Sequence, residues 1–316
     1  MLNPELKITF FSGKGGVGKS TVASAYAQLL ASRKRKTLLV STDPAHSLGN
    51  LFQIEIGGKP TLVCPNLWGL EIDPAQENFH YINKVKASLK GLVKSTMVKE
   101  VDRQIQLASG SPGAEEAALF DAIVSILLDE SKLYDRIVVD TAPTGHAIRL
   151  LSLPELMNVW MEGMLKRRKK VTKNYSQLLG DGEIIDDPIY DILNVRKQRY
   201  AAARDIILDK TQTAIIFVLI PEKLPFMETI SGIKMLSHHN IDVHTLFINK
   251  VLPTSVRDEF FVKRKQQQTV YIKEIEDSFK DKEIILLPLL AKDITTHQAL
   301  EELSRYLTGR KVLGLD

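Results

Sequence analysis

With 316 residues, 44% of them hydrophobic, the chain is long enough to bury a sizeable core as one large domain or two modest ones. A net charge of +4, with 25% charged and 7% aromatic residues, describes an ordinary globular surface, so no nucleic-acid partner is expected. One cysteine, Cys64, excludes an intramolecular disulfide and a thiolate metal cage built within one chain. Met1 to Lys7 lacks a basic flank followed by an apolar stretch, so no secretory signal is expected. The strongest apolar runs, 214–221 and 284–290, are far below the ~20 residues of a spanning helix, which points to a soluble, cytoplasmic protein.

In chain order, short β-rich apolar runs predict strands at 8–12, 37–41, 67–72, 136–140, 214–220, 243–249 and 283–287. Several are apolar without alternation, as strands covered on both faces are. Helical patterns between them predict an α/β fold with a doubly wound, mainly parallel sheet. Two stretches, about 74–130 and 154–210, hold long helical patterns with no convincing strand. They predict a helical subdomain inserted into a single domain spanning 1–316. Turn-rich loops are expected at 109–113 and 180–188. Residues 294–307 read as a helix docked on the sheet, and Cys64, before Pro65, reads as a loop residue.

The first strand leads into Gly13-Lys14-Gly15-Gly16-Val17-Gly18-Lys19-Ser20, and a helix opens at Lys19 and runs to about Ala31. Strand, glycine-rich turn and helix are the context a phosphate-binding P-loop requires. Backbone N–H groups converge on phosphate oxygens there, and the helix N-terminus adds its positive dipole end. Lys19 is expected on the β- and γ-phosphates and the Ser20 hydroxyl on Mg²⁺, with Thr21 completing the nucleotide-binding run. The string resembles the deviant Walker A motif KGGVGK[ST], found in MinD/ParA ATPases, nitrogenase iron protein, and arsenical-pump and tail-anchored-protein-targeting ATPases. That resemblance implies that Lys14 reaches across a homodimer interface to the partner's nucleotide.

After the second strand, Asp43 in Ser41-Thr42-Asp43-Pro44-Ala45-His46-Ser47-Leu48 is placed to orient the attacking water and accept its proton; capping a helix is the competing role. The strand 136–140 ends in Asp140, the Walker B carboxylate, expected to reach Mg²⁺ through water. Together, STDPAHSL and DTAPTGH (140–146) resemble the ArsA-type and tail-anchored-protein-targeting ATPases. The resemblance covers nearly the whole chain. It implies ATP as nucleotide, with Asn249 in Phe247-Ile248-Asn249-Lys250 reading the base and the loop after Pro288 covering adenine.

Two departures limit what the resemblance carries. The targeting ATPases hold zinc across the dimer with Cys-x-x-Cys, but Val262 and Lys265 stand at those positions, so no zinc is expected. Arsenite sensing needs several soft thiolates, and one cysteine does not supply them. Met157, Trp160, Met161 and Met164 follow helical spacing. The resemblance implies that such helices line a groove for hydrophobic clients, although a core stripe looks the same. Lys166 to Lys170 reads as a solvated helix end or a headgroup contact. The expected function is an ATP-driven homodimeric switch that targets hydrophobic, tail-anchored proteins to a membrane receptor. The catalytic subunit of an arsenite or anion pump, coupled to a permease, is one alternative; a MinD-like positioning switch is another.

Overall fold

The computed structural model describes residues 5–43, 47–89, 103, 114–142, 162–163, 165–166, 188–253 and 257–307. In chain order these form β1 (Ile8–Ser12), α1 (Lys19–Ser32), β2 (Thr37–Ser41), α2 (Ser47–Phe52), β3 (Thr61–Cys64), β4 (Leu67–Glu71), α3 (Pro74–Leu89) and α4 (Ala114–Leu128). A short 3₁₀ turn (Glu130–Lys132) precedes β5 (Arg136–Asp140), followed by α5 (Pro188–Leu208) and β6 (Thr213–Leu219). The chain continues through α6 (Lys223–His238), β7 (Thr245–Val251), α7 (Glu259–Ser278), β8 (Glu283–Pro288) and α8 (His297–Ser304).

The strands form one eight-stranded sheet, ordered β3-β4-β2-β5-β1-β6-β7-β8. Every pairing is parallel except β3 with β4. The fold is thus α/β and doubly wound. All five residues of β1, β2 and β5 are buried, which explains why these segments are apolar without alternation. From β1 the chain winds out to β2 on one side, and later to β6 on the other. The crevice at such a reversal lies beyond the carboxyl ends of the strands.

The described residues fall into two compact units: one within Met1–Asp73, Ser131–Arg149 and Ile207–Asp316, the other within Pro74–Glu130 and Leu150–Ile206. In the first, α1 is buried nearly all round: Val22, Ala23, Tyr26, Ala27 and Leu30 join Phe11, Val218 and Phe247 of the sheet in one core. Leu300, Leu303 and Leu307 belong to the same core. The expected helix over 294–307 is shorter than the pattern suggests, and it packs on α1, itself the layer covering the sheet.

The sequence reading misses β3. Its four residues alternate weakly, and Leu62 is exposed, as befits an edge strand paired on one side only. Cys64 therefore ends a strand, where an antiparallel hairpin turns through Pro65 and Asn66, and is not a loop residue. Partial burial pushes its thiol up.

The second unit is built on α3, α4 and α5. Phe120 of α4 meets Tyr200 of α5 edge-on with ring centroids 5.0 Å apart, and both are fully buried. The Tyr200 hydroxyl bonds Asp121 Oδ1 at 3.3 Å, and Arg196 stacks on Tyr81 of α3 while donating to its hydroxyl at 2.9 Å. Burial raises Tyr200 far above the ordinary phenol range, so it acts as a neutral donor. Truncating the shared ring should be costly: Phe120→Ala is expected to destabilise the protein by about 3–5 kcal/mol in urea unfolding followed by circular dichroism. A loss below about 1 kcal/mol would show that the ring pair does not hold these helices together.

Candidate functional site

The loop from Ser12 to Lys19 turns between β1 and α1 through three glycines with positive φ: Gly13 at 155°, Gly16 at 82° and Gly18 at 88°. A Cβ on Gly13 would collide with the Val218 carbonyl of β6, and one on Gly18 would run into Asn249 Nδ2. Gly16 has open space around it, so its requirement is conformational alone. Gly18 caps α1 without any side-chain hydrogen bond, which leaves the helix's first N–H groups available to an anion.

Within this cradle Lys19 is 5% exposed, and its Nζ donates to Asp140 Oδ1 at 2.6 Å. The pair exists because β1 and β5 are neighbours, with Phe11 in register with Asp140. Asp140 is fully buried, and its Oδ2 has no hydrogen-bond partner among the described residues. Burial raises the Asp140 carboxyl above its usual range; the Lys19 charge and the Lys19 and Ser20 hydrogen bonds oppose this, and Asp43 adds to it. Asp43 is thus near enough for its charge to be felt. It is half-buried, with its backbone N–H on Ser41 Oγ at 3.2 Å. A buried carboxylate oxygen without a donor, beside a serine hydroxyl, suits a hard cation such as Mg²⁺.

The strand ends are tied together by groups the sequence reading passes over. Thr42 N–H reaches the Asp140 carbonyl at 2.9 Å, and Thr42 Oγ1 accepts from Ala142 N–H at 3.2 Å. Thr141 bonds the Phe11 carbonyl through both its N–H, at 3.2 Å, and its hydroxyl, at 2.7 Å. On the other flank, Asn249 Nδ2 donates to the Val17 carbonyl at 2.8 Å, and Lys250 Nζ to the Gly16 carbonyl at 2.9 Å. The register slips between Ile248 and Val251, which carries Lys250 into the left-handed region at φ 58°. Gln268 of α7 secures that bulge by accepting from Leu252 N–H at 3.0 Å and donating to the Lys250 carbonyl at 3.2 Å.

The structure therefore brings Gly13, Val17, Gly18, Lys19, Ser20, Asp140 and Asn249 together, with Asp43 close by. β7 runs on through Val251, so Asn249 lies inside the strand rather than at its end, and one of its amide N–H groups holds the loop. Pro288 closes β8 opposite Val251. Gly15 and Gly16 are exposed, and Thr21 lies in the first turn of α1. Lys14 turns away from the cradle and donates to Glu228 Oε1 of α6 at 2.6 Å. No sequence signal links residues 214 positions apart. Met157, Trp160, Met161 and Met164 lie outside the described residues, as do 44–46 and 143–150.

Two outcomes are expected of this geometry. Gly18→Ala should weaken nucleotide binding about tenfold or more in titration calorimetry, since the side chain strains the loop and displaces Asn249. Unchanged affinity would remove the close approach of Asn249 as a constraint. Because the Asp140 carboxyl is raised, it takes up a proton at a higher pH than an ordinary aspartate, and the protonated form loses its charge. As pH falls, kcat/KM for nucleotide hydrolysis should therefore decline at a pH above the ordinary aspartate value of about 3.9. A profile flat down to that value would contradict the buried environment assigned to Asp140.

Comparison with known proteins places this geometry. The family model described as "Anion-transporting ATPase" matches residues 6–309. "Putative arsenical pump-driving ATPase 2" of Aquifex aeolicus is 37% identical over 302 residues, covering 96% of this chain and 99% of that protein. "ATPase ASNA1 homolog 2" of Paramecium tetraurelia is 32% identical, covering 98% and 96%. A "Putative arsenical pump-driving ATPase" of Halobacterium salinarum is 33% identical over 96% of this chain, which spans only 44% of that longer relative. With the loop, the paired strand ends and a match along nearly its whole length, the chain belongs to the anion-transporting, ArsA-type ATPase family and is an enzyme that hydrolyses ATP.

Proposed function

We propose that this ATPase works in the cytoplasm as a nucleotide-switched homodimer, and that its cycle delivers hydrophobic, tail-anchored proteins to a membrane receptor. The observation that carries the dimer is the direction of Lys14. Of the two lysines within the loop motif, Lys19 is buried on Asp140, while Lys14 lies at the surface on Glu228, where a second copy can meet it.

In the cycle, Lys19 leaves Asp140 for the β- and γ-phosphates, and Asn249 Oδ1 with the loop after Pro288 faces the base. Ser20 and, through water, Asp140 would hold Mg²⁺, whose charge would neutralise the phosphates. Asp43 orients the attacking water. Lys14 of each copy stabilises the charge on the other's nucleotide. The resemblance to targeting ATPases favours a client-binding role for the segment from Met157 to Met164.

The pump alternative shares the ATPase core and a relative's name. It is less favoured because Cys64, half-buried at the end of an edge strand, offers a single thiol where a soft metalloid needs several. For a positioning switch, α8 would have to be free for lipid, yet Leu300 and Leu303 are buried against α1. Among the described residues no helix is long and apolar enough to cross a membrane.

Lys14→Ala is expected to lower hydrolysis by about a hundredfold or more while nucleotide affinity changes little. Normal turnover in that variant would end the cross-subunit role. Asp43→Asn should hold ATP in a closed dimer; light scattering with a transmembrane-tail peptide is then expected to show a peptide-bearing dimer with ATP and not with ADP. A dimer that ignores the peptide would leave the ATPase switch standing and turn the search to a permease.

A further inference from the structure

The two lysines of the P-loop have separate acceptors. Lys19 is turned inward on Asp140, with side-chain exposures of 4% and 0%. Lys14 is turned outward on Glu228, with exposures of 34% and 46%. Glu228 stands on the solvent side of α6, in a stripe with Leu224 and Met227, which are 67% and 51% exposed. The loop's own phosphate cradle lies a few residues away, so an unrestrained Lys14 would be drawn to its own subunit's nucleotide.

We propose that Glu228 is a positioning residue for Lys14: it holds the ammonium away from its own nucleotide and releases it to the nucleotide of a second copy. This rests on the homodimer reading. The exchange has a definite direction. An exposed lysine–carboxylate pair shifts an equilibrium by only about two- to fivefold. Phosphate oxygens in a closed, water-poor interface carry more charge in a lower dielectric and are the stronger acceptors. Glu228 is therefore outcompeted when a second nucleotide arrives, and it suffices to orient Lys14 until then. The pair sets a threshold for closure and does not block it.

Glu228→Gln keeps the shape of the side chain and removes its charge. In the nucleotide-free protein, acylation of Lys14 read by mass spectrometry should rise about two- to fivefold. Labelling of Lys250, which bonds Gly16 instead, should stay unchanged. The concentration of a non-hydrolysable ATP analogue giving half-maximal dimer in light scattering should fall by a similar factor. An unchanged Lys14 rate, or equal rises at Lys14 and Lys250, would overturn the proposal, the latter by revealing general loosening of the loop. If Lys14 labelling rises but neither protein dimerises with the analogue, the holding contact stands. The homodimer reading then fails, and the release to a second copy fails with it.

Discussion

The buried contact between Lys19 and Asp140 is the constraint on which the rest of the site depends. A lysine and an aspartate with almost no exposure between them are tolerable only as a pair, since removing one partner of such a pair costs about 3–5 kcal/mol. Holding them 2.6 Å apart requires β1 and β5 to be neighbours in parallel, with Phe11 level with Asp140. That register requires the chain to leave β1 through a turn tight enough to start α1 beside the next strand. The three positive-φ glycines supply this turn. The pair also bears on the proposed cycle, in which ATP would compete with Asp140 for Lys19. On that proposal Lys19 would move to phosphate and the Asp140 carboxylate would be released from it.

Around the pair, the site's residues come from β2, β5, β1 and β7, with β6 between the last two. Thr42 ties β2 to β5 and Thr141 ties β5 to β1, so a shift in the residues that follow Asp140 would be felt at the loop after β1. On the far flank, Asn249 and Lys250 grip the Val17 and Gly16 carbonyls, and Gln268 keeps the bulge that aims them. Holding a loop by its carbonyls does not use its N–H groups. An anion site needs those groups.

Much of this was legible in the sequence, for identifiable reasons. The apolar runs of β1, β2 and β5 show because buried parallel strands need no alternation, and Gly13 to Ser20 shows because phosphate binding restricts residue type at successive positions. Asp140 follows from its place at the end of such a run. β3 escaped because a four-residue edge strand carries too little pattern, with Leu62 facing solvent. The bulge at Lys250 escaped because β7's apolar residues read as continuous whether or not the register slips. Partners far apart in sequence, such as Glu228 for Lys14 and Gln268 for Leu252, depend on how α6 and α7 pack. No local pattern encodes that packing. The resemblance to targeting ATPases marked Lys14 as important but was silent on where it rests.

The measurement that tests the central claim most directly is the binding of Mn²⁺, a paramagnetic stand-in for Mg²⁺, followed by electron paramagnetic resonance with and without nucleotide. If Lys19 occupies Asp140 until phosphate draws it away, the nucleotide-free protein should bind the ion weakly. Protein and nucleotide together should then bind it at least about tenfold more tightly, a gap of roughly 1.4 kcal/mol. Equal affinity in the presence and absence of nucleotide would contradict the account, because Asp140 would then be available to a cation regardless of Lys19.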